Sequence, residues 1–262
     1  MSGVRRAELC RTHDLAAHLV HYAPGLQQPV HEHARAQLSF LILGDLHETV
    51  GRNEADVSVQ ASGIKPSGVR HGARFGRQGA LMLAVDFSGD APHGLDASEP
   101  CRWTALSGAA VHLLHAAIRH PGDKADVLWD LAALSRSGEA EKRKPPGWLR
   151  NVREEIADAP SQADIAVLAA KAGVHRVHLS RSFQAAYGLP PSLYKIRSMA
   201  ARALTLAAES RQPLAGIAME AGFADQSHLT RAVRRYTGLP PSRLRSLFAE
   251  VTSVQDAGRA RP

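Results

Sequence analysis

The sequence predicts an α+β chain: an N-terminal β-barrel followed by helices, then an all-α C-terminal domain with two helix-turn-helix units joined by a linker helix. Three observations predict it. Leu179 to Ser192 reads LSRSFQAAYGLPPS, and Leu229 to Ser242 repeats it as LTRAVRRYTGLPPS. A repeat at such a period marks two copies of one supersecondary unit. Short apolar runs broken by Gly, Asn or Pro fill the stretch from about Gln28 to Phe87, as in a sandwich or barrel. The charge is also divided. Residues 1–147 hold 16 Lys/Arg and 16 Asp/Glu, whereas residues 148–262 hold 16 and 9, so the whole surplus of +7 lies with the repeat.

The bulk numbers set the frame. At 262 residues and 44% apolar, the chain suits one large or two ordinary domains. No apolar run approaches the ~18 residues of a transmembrane helix. Nothing after Arg5-Arg6 resembles the apolar segment of a signal peptide. Cys10 and Cys101 are the only cysteines, which fits a reducing compartment, and a cytoplasmic location away from the membrane is expected.

In chain order, Leu38–Leu43, Leu46–Val50, Val57–Val59, Val69–Phe75 and Leu81–Phe87 read as strands. Helical stretches follow at Trp103–His120 and Ala125–Leu134. In the first, Leu106, Ala109, Ala110, Leu113, Leu114 and Ala117 make a stripe at helical spacing. That stripe either packs on the barrel or forms the face of a homodimer. SRSGEAEKRKPPG, from Ser135 to Gly147, has no core-forming residue and reads as a linker. The expected division is therefore a barrel with trailing helices at 1–135, a linker at 136–147, the helical domain at 148–250, and a tail without apolar anchors at 251–262.

Within the helical domain, each copy opens with a short Ala-rich helix ended by Gly173 or Gly222, where a left-handed residue closes a helix. A second helix begins within a few residues, capped by Asp225 in one copy and by the poorer cap His175 in the other. In this motif the start of the second helix meets base edges in the major groove. Those positions hold Arg176, Val177, His178, Ser180 and Arg181, then Gln226, Ser227, His228, Thr230 and Arg231. Arg pairs with guanine, Gln with adenine, and Ser or Thr with bases or phosphates. Leu179, Phe183, Leu229 and Val233 read as the buried stripe. Leu193–Glu209 reads as a joining helix of roughly 25 Å, with Lys195, Arg197, Ser198 and Arg202 largely off its apolar stripe. That length suits two reading helices in successive major-groove segments, about 34 Å apart.

Residues from about Trp148 to Arg245 resemble the DNA-binding domain of the AraC/XylS family of transcription regulators. The motifs are Asp164-Ile165-Ala166-Val167-Leu168-Ala169, Leu179-Ser180-Arg181-Ser182-Phe183, and Gly222-Phe223-Ala224-Asp225-Gln226-Ser227-His228-Leu229. Departures are small: Leu229 and Val233 stand where the family usually has Phe. The resemblance implies binding of double-stranded promoter DNA through both second helices, and contact with RNA polymerase.

Eleven of the 14 histidines precede the linker. His31 and His33, two apart, share one face of a strand, and Gln37 joins them if the strand runs on unbroken. Pro66-Ser67-Gly68-Val69-Arg70-His71 is a turn leading into a strand that starts near a histidine. Together these resemble the two motifs of the cupin barrel, with Gly44 completing the first. The resemblance implies a pocket lined by His31, His33, Gln37 and His71. It either binds a small-molecule effector by hydrogen bonds or holds a divalent metal on three imidazoles with Gln37 fourth. Neutral imidazoles suit Zn, Fe, Ni or Cu. Glu32, Arg35 and Glu48 read as surface charges. The function expected is a sequence-specific DNA-binding regulator, not an enzyme. The alternative is a metal-dependent cupin enzyme fused to a DNA-binding domain.

Overall fold

The computed structural model describes residues 3–88, 103–119, 125–134 and 145–249. Most of the linker and the tail lie outside the described residues. The first half is a single antiparallel sheet of eight strands: β1 (Val4–Arg11), β2 (Leu15–Tyr22), β3 (Gln27–His31), β4 (Gln37–Val50), β5 (Asn53–Val57), β6 (Ala61–Lys65), β7 (His71–Phe87) and β8 (Trp103–Ala105). The main path runs β1-β2-β7-β4-β6-β8, with β3 added on β7 and β5 on β4. The fold class is α+β, as expected.

Two long strands shape this half. β4 pairs with β6 through Gln37–Leu41 and with β5 through Leu46–Val50, while β7 pairs with β2 through Ala80–Phe87 and with β3 through His71–Arg74. Each strand thus serves two layers. The bend falls at bulges beside Gly44 and Gly79, both at positive φ. A side chain on Gly44 would collide with the Gly79 carbonyl, so the crossing needs glycine.

Sequence reading differs here in three ways. The strands begin at Val4, not near Gln28, because β2 (LAAHLVHY) is buried on both faces and shows no alternation. The two halves of β4 and of β7 were separated by glycines that bend a strand without ending it. Trp103–Ala105 is a strand on β6, and the helix begins only at Gly108.

Nine helices follow among the described residues: α1 (Gly108–Arg119), α2 (Ala125–Leu134), α3 (Gly147–Asp158), α4 (Ile165–Lys171), α5 (Arg176–Tyr187), α6 (Pro191–Glu209), α7 (Leu214–Glu220), α8 (Gln226–Thr237) and α9 (Pro241–Ala249). α1 and α2 pack within the chain: Ala110, Leu114 and Ala117 are buried, and Trp129 lies against Phe87 at 5.2 Å between ring centres. No helix among the described residues is long and apolar enough to cross a membrane.

α6 lies along the sheet. Arg197 and Ser198, expected off its apolar face, are buried at 2% and 5% exposure. The reason is chemical. The Arg197 guanidinium donates to the Gly44 carbonyl at 2.9 Å and the Ser58 carbonyl at 2.6 Å, so the bend in β4 and the residue after β5 supply acceptors for a buried cation. Nearby, Thr205 Oγ1 donates to the Gln78 carbonyl at 2.8 Å and therefore accepts from His21 Nε2 at 3.0 Å. Apolar contacts between sheet and helices run through the same region.

Candidate nucleic-acid interface and histidine cluster

The two repeats fold alike. α4 ends and Gly173 takes φ +68°; α7 ends and Gly222 takes φ +90°. α5 and α8 follow, each 12 residues long and each closed by a left-handed glycine, Gly188 or Gly238. Asp225 caps α8 by accepting from the His228 amide at 2.6 Å. His175 caps α5 through Nδ1 at the longer 3.3 Å, the weaker arrangement its chemistry predicts. Leu179, Phe183, Leu229 and Val233 are fully buried, which fixes how each second helix is rotated.

That rotation leaves the expected reading residues facing out. Arg176, Val177, His178, Arg181, Gln226, Ser227 and Arg231 are exposed, and Ser180 and Thr230 are half-buried. Val177 is notable as an apolar side chain left 50% exposed on a helix whose other large apolar residues are buried. The His178 ring stacks on Trp148 of α3 at 5.9 Å. A cleft of about 550 Å³ opens beside Arg176, between Asp164, Ser192 and Lys195.

In the sheet half, His31, His33 and His71 come together, with one ring nitrogen of each within 4.8 Å of the others. The route differs from the sequence reading. β3 ends at His31, His33 lies in the loop, and β4 begins at Gln37, so no single strand face carries all three. The cluster forms because His31 pairs with His71 across β3 and β7. His31 Nδ1 donates to the Pro29 carbonyl at 2.9 Å, and His71 Nδ1 donates to the Val69 carbonyl at 3.2 Å. Both tautomers are thereby set, with the Nε2 lone pairs left over. Burial, reinforced by the nearness of His31 and of the Lys65 ammonium, pushes His33 down to about 4. Burial, then Lys65, does the same to His71.

Gln37 is engaged elsewhere. Its amide nitrogen donates to Asp86 at 2.7 Å and its oxygen accepts from Ser39 at 3.1 Å. Glu32 and Arg35 are exposed as expected, but Glu48 is not a surface charge. It is 3% exposed, paired with Lys65 at 3.0 Å and accepting from Trp103 Nε1 at 2.6 Å. A buried carboxylate requires such partners. Lys65, Trp103 and Asp86 were missed by sequence reasoning. Lys65 sits on β6, a strand of five residues with no apolar run, and only its register opposite Gln37 places it inward.

Residues 168–246 match a family model described as a helix-turn-helix domain. This part of the chain is therefore a helix-turn-helix domain. No curated protein matches it. Among solved structures, a transcriptional regulator with an AraC-type DNA-binding domain from Chromobacterium violaceum aligns at 22% identity, over 39% of this chain and 93% of that one, with a TM-score of 0.37. An RmlC-like cupin from Shewanella frigidimarina aligns at 25% identity, over 34% of this chain and 79% of that one, with a TM-score of 0.32. ToxT from Vibrio cholerae aligns at 8% identity, over 90% of this chain and 99% of that one, with a TM-score of 0.39.

Proposed function

We propose that the chain regulates transcription by reading an asymmetric promoter site with two helix-turn-helix units. α5 reads one half-site through Arg176, Val177, His178, Ser180 and Arg181. α8 reads the other through Gln226, Ser227, Thr230 and Arg231. The observation that carries this is the shared outward presentation of both sets, on helices whose opposite faces are locked by buried Leu179, Phe183, Leu229 and Val233. The net charge of +7 on that half supports it, since phosphate contacts supply affinity and base contacts supply specificity. RNA polymerase is the expected protein partner, and the division at residues 135 and 148 the expected domain plan. Genome-wide mapping of bound DNA followed by footprinting tests the reading. Two unlike protected segments about one helical turn apart are expected, and a single protected segment overturns the two-unit form.

The histidine cluster is the effector site in this reading. An occupant that favours one arrangement of the sheet against the helices shifts DNA binding. A specific observation favours a second reading of the same cluster, as a divalent-metal site. The two backbone carbonyls that orient His31 and His71 are the kind of outer support that metal-binding imidazoles receive. The residues fit such an ion in part: three imidazoles converge, while Gln37 is held by Asp86 and Ser39 and does not complete the set. Elemental analysis of untagged protein separates the two. A stoichiometric metal lost in His71→Ala supports the second; metal-free protein that binds DNA fully supports the first.

A further inference from the structure

The helical half does not share one core. Leu149, Ile156, Leu168, Leu179, Phe183 and Tyr194 cluster by themselves, uniting α3, α4, α5 and the start of α6. Ile217, Phe223, Leu229, Val233 and Phe248 instead belong, with Leu204, to the apolar cluster that contains Leu19, Phe40 and Leu83 of the sheet. The second helix pair is therefore packed into the sheet's own core, and the first is not. α6 is divided between the two: Tyr194 falls in the first cluster, and Met199 to Ala207 supply residues of the second. Arg197, gripping the Gly44 and Ser58 carbonyls, lies between the divisions.

What ties the first cluster to the sheet is polar. Gln78 Nε2 donates to the Ala157 carbonyl at the end of α3, at 2.7 Å. Arg77 meets Asp158 at 3.1 Å on the surface. The Tyr194 hydroxyl donates to Asp45 at 3.1 Å. Interdigitated apolar cores resist sliding, whereas this boundary is held by a surface ion pair and two hydrogen bonds, from Gln78 and Tyr194, each of which one side-chain change removes. Gln78 is the node of this arrangement. Its carbonyl accepts from Thr205, in the part of α6 that belongs to the sheet's core, while its side chain reaches the first cluster. It also sits on β7, the strand that begins at His71.

We infer that the sheet and the second helix pair move as one body, and that the first helix pair is the part the sheet repositions, turning about α6 at Arg197. This rests on the reading of α5 and α8 as the DNA-contacting helices. A change at His71 travels along β7 to Gln78 and alters the hold on α3. α8 stays in place, so regulation acts on the half-site read by α5.

Spin labels on the full chain, with Cys10 and Cys101 replaced by serine, test this without DNA. One protein carries labels at the exposed positions Arg52 and Glu154, the other at Arg52 and Arg234. Gln78→Ala is expected to broaden the 52–154 distance distribution at least twofold and to leave 52–234 unchanged. Tyr194→Phe, which removes one hydroxyl and keeps the ring, is expected to act in the same direction if Gln78→Ala fails to fold. Equal broadening of both distances, or no broadening of either, overturns the inference. Footprinting of the same variants reports separately on the DNA reading. Loss of the α5 half-site alone is expected. Absence of any footprint in the parent protein refutes the DNA assignment and leaves the distance result standing.

Discussion

Arg181 and Arg231 occupy equivalent places one turn into α5 and α8, and both are exposed. A bidentate contact to guanine is worth roughly 1–3 kcal/mol of discrimination. Arg231→Ala is expected to weaken binding by that amount and to relax specificity in one half-site, with Arg181→Ala doing so in the other. Competition binding with operators mutated at single positions checks this. An unchanged preference would remove the residue from the reading set. His21 supports a second expectation. Its ring is 2% exposed, and burial pushes it from an ordinary 6.5 down to about 4. The unfolded chain therefore takes up a proton between about pH 6.5 and 4 that the folded chain refuses. Stability is full above that window and falls through it, by roughly 3 kcal/mol for this group alone. His21→Gln keeps a donor for Thr205 and should reduce the steepness of the acid-side stability curve by about one proton. A curve of undiminished steepness in urea titrations across this range would show that His21 does not carry the effect.

At the scale of elements, α6 matters most. Eleven of its 19 residues are buried, including a guanidinium inside a layer that sequence periodicity assigns to apolar side chains. Arg197→Met keeps the length of the side chain but strips donors from the Gly44 and Ser58 carbonyls. The expected cost is roughly 2–4 kcal/mol, since an orphaned buried acceptor bears its full desolvation penalty. Urea denaturation measures it, and an unchanged midpoint would mean that water replaces the guanidinium. The second helix pair was legible in detail, cap included, because capping, glycine termination and the buried stripe are all local signals. Arg197 was not legible. The acceptors that bury it, the Gly44 and Ser58 carbonyls, lie 153 and 139 residues away in the chain.

For the whole molecule, the α+β class and the order of parts could be read from the sequence, and the structure brings His31, His33 and His71 together. What could not be read was how they meet. His31 reaches His71 through pairing across two strands, and Gln37 turns to Asp86 because the strand starts anew there. Contacts of this kind depend on register, and a one-residue shift changes every facing. The buried Glu48–Lys65 pair escaped for the same reason. The packing of the second helix pair into the sheet was equally hidden, since composition and spacing describe each half separately.

α6 also sets an angle as well as a length. At 3.6 residues per turn, one alanine inserted between Arg197 and Met199 would rotate everything after it by about 100° and advance it by about 1.5 Å. The two reading helices would keep nearly the same separation yet point around the DNA axis in different directions. Such an insertion is expected to abolish binding to the intact site while each half-site, offered singly, retains its weak affinity. An insertion of a whole turn should restore more of the joint affinity than an insertion of one residue, although the added span is greater. On the proposed DNA reading, phase rather than reach is then the property of this helix that a promoter would have to match.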